Sequence, residues 1–582
     1  MKYPSLTAPK CTRQTVDTFR GYNHNLKIWD GEFWDMENLS SDEYPVLSPR
    51  KPRGIYCKTS SPQGILSKGE LCYVDGTEFV IGTNRYDMDL SVSANTARKE
   101  LVSMGAYVII MPDKKYINTI NPEDRGDIEN SFTSAGTVSF SMCDASGESF
   151  GDPVIASTAP DNPEDLQYWV DTSSTPHVLK RWSKTSGQWV SIATTYVKIS
   201  APGIGTGFRK FDGVSVSGIT VAQLSGLNGS QIIQDCAEDY LVLIGILDQT
   251  ASQTEAVTVE RRMPVMDFLC ENDNRLWGCR YGLNNAGEMV NEIYACKLGD
   301  FRNWQCYQGI STDSYAASCG TDGPFTGAIT HLGSPLFFKE NCFHKVYGNV
   351  PSNFQIQATA CRGVQSGCSH SLAIVNEVLF YKSRQGVCAF DGSLPVDAGY
   401  ALGKESYFDA CAGANGNKYY LSMRNSFGEW NLFVYDASVK LWHREDNLHA
   451  LSFCSHLGQM YCVDADTKEI LCLTGAGTKY ESKVHWMAQS GEIGVSSPDT
   501  KYISRITIRL QVPSGSLITI YAQYDMSPEW VEVCTIRGTG LKSFSIPVRP
   551  VRCDHMKLRM EGSGDARIYS ITKTIEQGSE YA

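Results

Sequence analysis

Between residues 270 and 475 the chain repeats one pattern: an apolar, aromatic run of strand length, a turn, and a second such run. The first strands of successive units begin near residues 334, 376, 417 and 458, so the repeat is about 41 or 42 residues long. That period is typical of the four-stranded blades of a β-propeller. Strands that alternate large and small residues fit blades whose two faces pack against their neighbours. We therefore predict an all-β chain that contains a β-propeller.

Two earlier segments carry the same hairpin pattern. Residues 69–82 place Asp75 and Gly76 between two alternating apolar runs, which predicts a tight β-hairpin, and residues 105–118 repeat this arrangement. If both hairpins belong to blades, the propeller is interrupted for about 140 residues, which is too long for a loop inside a compact domain. A folded insertion is therefore expected in this gap.

Short alternating strands fill residues 120–255 and predict an inserted all-β domain, or two small ones. After Lys483, six or more alternating strands at regular spacing predict an antiparallel β-sandwich or jelly roll. The predicted fold is thus a β-propeller interrupted by an inserted β domain and followed by a C-terminal β-sandwich. The predicted boundaries are an extended N-terminal arm (1–55), the first propeller blades (56–119), the inserted domain (120–255), the remaining blades (256–482) and the sandwich (483–582).

The N-terminal arm mixes aromatic and turn residues with little periodicity. Pro45, Pro49 and Pro52 hold its last part extended and out of a helix. Two interpretations remain open: the arm wraps onto its own propeller, or it docks on a neighbouring subunit.

The charge and cysteine content narrow the class of protein. A formal net charge of −12 argues against a groove that grips phosphates, but it is compatible with a pore through which DNA slides without sticking. The 20 cysteines include no C-x-x-C pair, and many lie inside apolar strands. We interpret them as small buried hydrophobic residues of a protein folded in a reducing cytoplasm. The N-terminus lacks a signal-peptide pattern, and no apolar run is long enough to span a bilayer.

No motif in the sequence indicates catalysis, a cofactor or a metal. Residues 203–207 are glycine-rich but match no phosphate-binding pattern, so a turn is predicted there. Residues 183–189 resemble the Asp-box turn of sialidase-type propellers, but Thr185 stands where the acidic residue is usual, which favours a hairpin capped by a core Trp189. Four scattered histidines have no companion ligands and are expected to lie on the surface or in the core: His344, His370, His443 and His485. We therefore predict that the chain is not an enzyme.

Several phrases of the sequence resemble a family of tailed-phage structural proteins described as packaged-DNA stabilisation, tail-hub or tail-nozzle proteins. The phrases are residues 31–50, 168–174, 195–199 and 546–554. The resemblance implies a ring, with six copies the expected number, below the portal and its adaptor. In that ring propellers form the wall, the inserted domain forms a platform facing the adaptor, and inward loops narrow the lumen.

The same resemblance implies the partners and the location. They would be adaptor or portal-side proteins, tail fibre or spike proteins, and DNA that passes through the lumen without sequence-specific binding. The expected location is the tail of the virion, after synthesis in the cytoplasm of the host bacterium. No catalytic residue is carried over from the family, and channel or partner contacts remain unassigned.

Two other functions remain open: a receptor- or glycan-binding propeller on a virion or cell surface, and a propeller glycosidase. An aromatic-rich pocket would favour the glycan-binding protein. Two basic groups could contact DNA or an acidic partner, although solvated turns or intersubunit salt bridges are the alternative. These groups are Lys114 with Lys115, and Arg50 with Lys51 and Arg53.

Overall fold

The computed structural model describes residues 11–92, 98–150, 152–477, 479–495, 501–525, 527–549 and 551–577. The first ten residues of the predicted arm therefore lie outside the described residues. The chain divides into two units. Unit 1 comprises Met1–Leu101, Leu336–His344 and Ala358–Ala582, and unit 2 comprises Val102–Pro335 and Lys345–Gln357.

The N-terminal arm packs onto other parts of unit 1. The Tyr22 amide donates to the Trp442 carbonyl oxygen at 2.7 Å, and the first two arm strands join the C-terminal sheet. Within this chain the arm thus contacts its own unit, as one of its two interpretations expects. The arm strands are β1 (Cys11–Val16), β2 (Phe33–Glu37), β3 (Leu39–Ser40) and β4 (Ser48–Pro49).

Outside the inserted domain, seven sheets of the described residues show the propeller-blade pattern, in which four strands pair in succession. In the last blade, the strand that follows the arm pairs with the last of three strands from much later in the chain, and a short fifth strand, Lys479–Tyr480, pairs with its other edge. The strands before the insertion are β5 (Gly54–Lys58), β6 (Pro62–Lys68), β7 (Glu70–Asp75), β8 (Glu78–Ile81), β9 (Asn84–Asp87), β10 (Glu100–Met104), β11 (Tyr107–Met111), β12 (Lys115–Asn118) and β13 (Arg125–Asp127).

Both predicted hairpins are confirmed. Strands β7 and β8 pair antiparallel across a turn whose Gly76 has a φ of +68°, a conformation that favours glycine. Strands β11 and β12 pair in the same way, with Tyr107 opposite Asn118. Strand β13 then adds residues 125–127 to this blade, although its sequence Arg-Gly-Asp carries no apolar alternation.

The inserted domain consists of three small sheets between residues 130 and 261, all in unit 2. Its core is a cluster of buried aliphatic and aromatic residues that includes Val138, Phe140, Val170, Leu179 and Leu241. One short 3₁₀ helix, Ala222–Leu227, lies within it. The strands are β14 (Asn130–Thr133), β15 (Val138–Cys143), β16 (Val154–Ala156), β17 (Tyr168–Asp171), β18 (Val178–Ser183), β19 (Gln188–Ser191), β20 (Tyr196–Ser200), β21 (Gly213–Ser217), β22 (Gly229–Ile232), β23 (Asp235–Ala237), β24 (Tyr240–Ile244), β25 (Ala251–Gln253) and β26 (Thr258–Arg261).

The remaining blades follow the predicted period. The sheet within residues 268–318 belongs to unit 2, and the sheets within residues 373–480 belong to unit 1. Three further 3₁₀ turns span Pro351–Asn353, Ser369–Ser371 and Tyr400–Leu402. The strands are β27 (Phe268–Asn272), β28 (Arg275–Leu283), β29 (Met289–Ala295), β30 (Tyr315–Ser318), β31 (Gly327–His331), β32 (Ser334–Lys339), β33 (Cys342–Tyr347), β34 (Gln355–Ala360), β35 (Ala373–Val375), β36 (Val378–Ser383), β37 (Gly386–Phe390), β38 (Val396–Asp397), β39 (Tyr407–Asn415), β40 (Lys418–Asn425), β41 (Trp430–Asp436), β42 (Leu441–Arg444), β43 (Ala450–His456), β44 (Gln459–Asp464), β45 (Glu469–Cys472) and β46 (Lys479–Tyr480).

The repeat begins one strand earlier than the sequence pattern indicated. The runs near residues 334, 376, 417 and 458 correspond to β32, β36, β40 and β44, and each is the second strand of its sheet. The first strands lack a continuous apolar run, and β35 has only three residues. The period was therefore correct and its phase was not.

The C-terminal strands form an eight-stranded sheet together with β1 and β2. The 24-residue strand β48 pairs with β52 along its first half and with β51 along its second half. Its residues alternate between buried and more exposed positions, as predicted for a sheet with one covered face. The strands are β47 (His485–Ser490), β48 (Lys501–Tyr524), β49 (Val531–Ile546), β50 (Arg552–Cys553), β51 (Met556–Ser563) and β52 (Arg567–Gln577).

The cysteines and the absence of a membrane-spanning segment were also predicted from the sequence. All 20 cysteines are free thiols, and Cys72, Cys279, Cys296, Cys462 and Cys472 are buried as predicted. Within the described ranges, no helix has the length and hydropathy needed to cross a membrane.

Candidate binding surface on the inserted domain

The sheet of β16–β19 carries three tryptophans on one face. Strand pairing places Trp169 opposite Lys180 and Trp182 opposite Trp189. Because side chains alternate along a strand, all four side chains point to the same side of the sheet. We call these four residues the tryptophan face. Val170, the neighbour of Trp169, points to the other side and belongs to the domain core.

The three indole rings pack edge to face. The ring centroids of Trp169 and Trp189 are 5.3 Å apart at 67°, and those of Trp182 and Trp189 are 5.5 Å apart at 62°. This is the favoured arrangement for aromatic pairs, and it holds each ring in a defined orientation. Trp169 is buried, whereas Trp182 and Trp189 are half-buried. The outer two rings therefore present aromatic surface to solvent.

A fixed ion pair lies beside the rings. Lys180 Nζ is 4.7 Å from the centroid of Trp169 and 2.7 Å from a carboxylate oxygen of Asp171. The hydrogen bond from Lys180, assisted by Ser173, lowers the pKa of Asp171 to about 2. The carboxylate is thus ionised at neutral pH and offers a hydrogen-bond acceptor next to the aromatic surface.

Exposed apolar side chains surround this sheet. Val154 lies opposite Trp169 in the parallel pairing of β16 with β17 and is 39% exposed. Leu166, in the loop before β17, is also an exposed large hydrophobic residue. Ile155 and Val190 are exposed too, but they alternate with Val154 and Trp189 and lie on the other side of the sheet. Single exposed residues of this kind are ordinary, but Val154 beside two half-buried tryptophans adds apolar area to the tryptophan face.

The structure corrects the predicted role of Trp189. The turn at residues 183–189 is the hairpin between β18 and β19, as predicted. Trp189, however, packs on Trp169 and Trp182 rather than in the domain core, because its strand position points away from Val170 and Leu179.

The predicted basic contacts are mostly engaged in ion pairs within the chain. Arg53 is 5% exposed and binds both oxygens of Asp446 at 2.7 and 3.0 Å. Arg50 is 7% exposed and lies 2.7 Å from Glu481. These two arginines are therefore not presented for DNA contact by this chain. They form salt bridges, as the alternative interpretation expects, but their partners belong to the same chain and not to a second subunit.

The other predicted basic residues lie nearer the surface. Lys51 is exposed, whereas Lys114 lies 2.7 Å from Glu129 and Lys115 lies 3.4 Å from Asp127. The two ion pairs leave Lys114 and Lys115 partly exposed, so the structure does not gather the predicted basic residues into one patch.

The histidines and the glycine-rich segment are structural. His344 and His443 are buried, His485 is exposed, and burial lowers the pKa of His443 to about 4. His370, which packs near Arg98, also has a pKa lowered chiefly by burial. No cluster of three or more His, Cys, Asp or Glu side chains among the described residues could hold a metal ion. Residues 203–207 form the predicted turn.

Comparisons with known proteins identify no family for this chain. No family model and no curated protein matches the chain. Among solved structures, a sialidase from Trypanosoma rangeli aligns over 97% of this chain and 96% of its own, with 8% identity and a TM-score of 0.22. An exo-β-1,3-galactanase from Phanerochaete chrysosporium aligns over 52% and 94%, with 7% identity and a TM-score of 0.19. The protein U3-55K aligns over 51% and 88%, with 7% identity and a TM-score of 0.24.

These comparisons correct one prediction from the sequence. The solved structures that align with this chain include a galactanase and a sialidase. The prediction that this chain is not an enzyme is therefore wrong, because its fold does not exclude catalysis. At such low TM-scores the likenesses assign neither an activity nor a substrate to this chain. What stands is an all-β architecture of propeller blades with an inserted β domain.

Proposed function

We propose that this chain is a carbohydrate- or receptor-binding β-propeller protein that makes contact through the tryptophan face. The observation that carries the proposal is the set of two half-buried indoles beside the ionised Lys180–Asp171 pair. The C–H groups of a sugar ring pack against an indole face, while its hydroxyl groups exchange hydrogen bonds with the ammonium and the carboxylate. The same surface would serve a receptor peptide with exposed aromatic side chains.

A glycan array tests this proposal. The wild-type chain is applied beside Trp189→Ala, which removes the central ring of the face, and Val190→Ala, which truncates the neighbouring side chain on the opposite side of the same strand. We expect glycan signals that Val190→Ala keeps and Trp189→Ala loses. An array without any wild-type signal, or equal signals from both variants, would overturn the assignment of the site.

A structural role in a phage tail is the second candidate. Its support is the resemblance of residues 31–50, 168–174, 195–199 and 546–554 to tail-nozzle and tail-hub proteins, together with a propeller interrupted by a β domain. In this proposal the chain forms a ring, expected to be a hexamer, that contacts adaptor, portal-side and fibre or spike proteins of the virion. DNA is retained in the ring and passes through it during ejection, and the net charge of −12 limits adhesion of the phosphate backbone.

The mass of the purified chain in solution tests the second candidate. Analytical ultracentrifugation and negative-stain electron microscopy should reveal closed rings if the chain assembles without its neighbours. If it remains a monomer alone, mixing it with portal–adaptor particles of the same virus should recruit it to them. A monomer that is not recruited would contradict the tail proposal and leave the carbohydrate proposal untouched.

A further inference from the structure

A cavity of about 540 Å³ lies in unit 1, beside the last propeller blade. Its wall combines ends of β2, β5, β44 and β45 with the loop between β42 and β43. The volume lies in the range of small-molecule sites. None of its residues belongs to the tryptophan face, so the cavity is independent of the site described above.

The cavity wall is acidic, and two of its carboxylates form no ion pair within the described part of the chain. Glu37 and Asp464 form no ion pair among the described residues. Asp464 instead accepts the Asp466 amide at 3.0 Å and the Thr467 hydroxyl at 2.7 Å. The other acidic wall residues are paired with arginine or lysine. An acidic ligand is therefore disfavoured, and a cationic or neutral ligand is favoured.

One buried donor in the wall lacks an acceptor. Arg53 is 5% exposed, and its terminal nitrogens are bound by Asp446 and Glu445, but its Nε–H has no hydrogen-bond partner. A buried unsatisfied N–H costs about 1–3 kcal/mol. Because Arg53 lines the cavity among the carboxylates, a ligand that offers hydrogen-bond acceptors as well as donors is favoured.

The rest of the wall is aliphatic. Ile55, Leu448 and Leu471 line the cavity, and Leu448 is 8% exposed. A ring with C–H groups on its faces and hydroxyl groups on its edge satisfies both parts of the wall. A hydroxyl group is also a donor and an acceptor at once, as the carboxylates and Arg53 together require.

We propose that this cavity binds a non-acidic sugar, with an amino sugar as its best ligand, through Glu37, Arg53 and Asp464. The ammonium of the amino sugar supplies the ion-pair partner that Glu37 and Asp464 do not have among the described residues. The ring hydroxyl groups donate to the carboxylates and accept from the arginine.

The electrostatics of Glu37 agree with this assignment. Burial raises the pKa of Glu37, and the neighbouring carboxylates of Asp446 and Asp35 raise it further, while Arg444 and Arg50 lower it. A ligand cation favours the ionised form of Glu37. The sugar should thus bind more weakly as the pH falls through the raised pKa of Glu37, while the ammonium of the ligand stays charged.

Three sugars with the same ring but different charge test whether the cavity prefers a cationic ligand. Glucosamine, glucose and glucuronate are titrated into the full chain at pH 7 and followed by saturation-transfer NMR and calorimetry. We expect glucosamine to bind about tenfold more tightly than glucose, which corresponds to one favourable charge contact of about 1.4 kcal/mol. Glucuronate should not saturate. Binding of glucuronate equal to that of glucose, or no binding by any of the three, would overturn the proposal.

Variants assign the binding to this cavity. Glu37→Gln should remove the preference for glucosamine, whereas Glu529→Gln, at an exposed carboxylate in the same unit, should keep it. Trp189→Ala should also keep it, which separates this cavity from the tryptophan face. Loss of glucosamine binding in Trp189→Ala would move the site to that face and overturn the proposal. If Glu37→Gln does not fold, the pH titration of the wild-type chain decides: an affinity that does not change between pH 7 and pH 4 contradicts the role of Glu37.

Discussion

The β39–β42 blade and the β16–β19 sheet use aromatic residues in opposite ways. In the blade, Tyr419, Phe433 and Trp442 are at most 2% exposed, and Trp442 donates its indole N–H to the Ala398 carbonyl at 2.7 Å. In the inserted sheet, Trp182 and Trp189 stay half-buried and their rings pack edge to face on other tryptophans. Both sheets are four-stranded. The difference therefore lies in which faces are covered: the aromatic residues of the blade face buried surroundings, and the tryptophan face is left for a ligand.

Truncation of one tryptophan in each sheet gives the largest expected contrast. Trp442→Ala removes a fully buried ring and leaves a cavity, so it should lower the free energy of unfolding by about 3–5 kcal/mol. Trp189→Ala removes a ring that is half exposed already and should cost about 1 kcal/mol. Urea unfolding followed by circular dichroism measures both. Equal losses would show that the tryptophan face belongs to the core and would end its assignment as a binding surface.

Buried and exposed ion pairs offer a second contrast. Arg53→Met removes the closer of the two arginines that pair with Glu445 and Asp446, and leaves Arg50 at 3.6 Å from each. It should lower the free energy of unfolding by about 2–4 kcal/mol, because the buried Glu445 loses its cation at 2.7 Å. The matched change is Arg424→Met, whose partner Asp409 is largely exposed, and it should cost less than about 1 kcal/mol. High salt should reduce the second loss and leave the first nearly unchanged. A salt-sensitive loss in Arg53→Met would contradict the burial of this ion pair.

The fold could be predicted from the sequence further than the site could. The period and the alternation of apolar residues show where strands recur. They were sufficient to predict the blades near residues 334, 376, 417 and 458 and the hairpin at Asp75. Short polar strands such as β13 were not, because Arg125–Asp127 has no apolar pattern and is held by pairing with β12.

The candidate site depended on relations that the sequence does not contain. Trp182 and Trp189 look like core residues until the register of β18 with β19 and the position of the domain core are known. Likewise, Arg50 and Arg53 looked like surface cations, yet their partners Glu445, Asp446 and Glu481 come from about 400 residues later in the chain. Contacts at such separation decide which charges are buried, and no local pattern encodes them.

The pH dependence of stability should separate the blade from the inserted sheet. Burial lowers the pKa of His443 from 6.5 to about 4, and Lys418 lowers it as well, while Asp436 and Asp42 raise it. Between these two values the unfolded chain binds a proton that the folded chain does not. The free energy of unfolding should therefore fall as the pH drops from 6.5 to 4, by up to about 1.4 kcal/mol per unit from this group.

His443→Gln isolates that contribution. Other buried histidines such as His344 remain, so the wild-type and variant slopes must be compared rather than either one alone. The variant should have the shallower slope between pH 6.5 and 4 and the same slope above pH 7. Identical slopes throughout would mean that His443 takes up its proton equally in the folded and the unfolded chain, and would contradict its lowered pKa.

The smallest expected effect tests the electrostatics of the tryptophan face itself. Lys180→Met keeps an aliphatic stem over Trp169 but removes the ammonium that hydrogen-bonds Asp171. The pKa of Asp171, now about 2, should rise toward the ordinary value of 3.8, although the hydrogen bonds from Ser173 keep it from rising fully. A ¹³C NMR titration of the Asp171 carboxyl measures the change, and Arg181→Met, on the opposite side of the same strand, is the control. If the pKa of Asp171 does not move in Lys180→Met, the lysine does not set the charge beside the indoles. The tryptophan face would then differ from the blade only in its exposed indole rings, because it would lack the ion pair that is proposed to orient a sugar hydroxyl group.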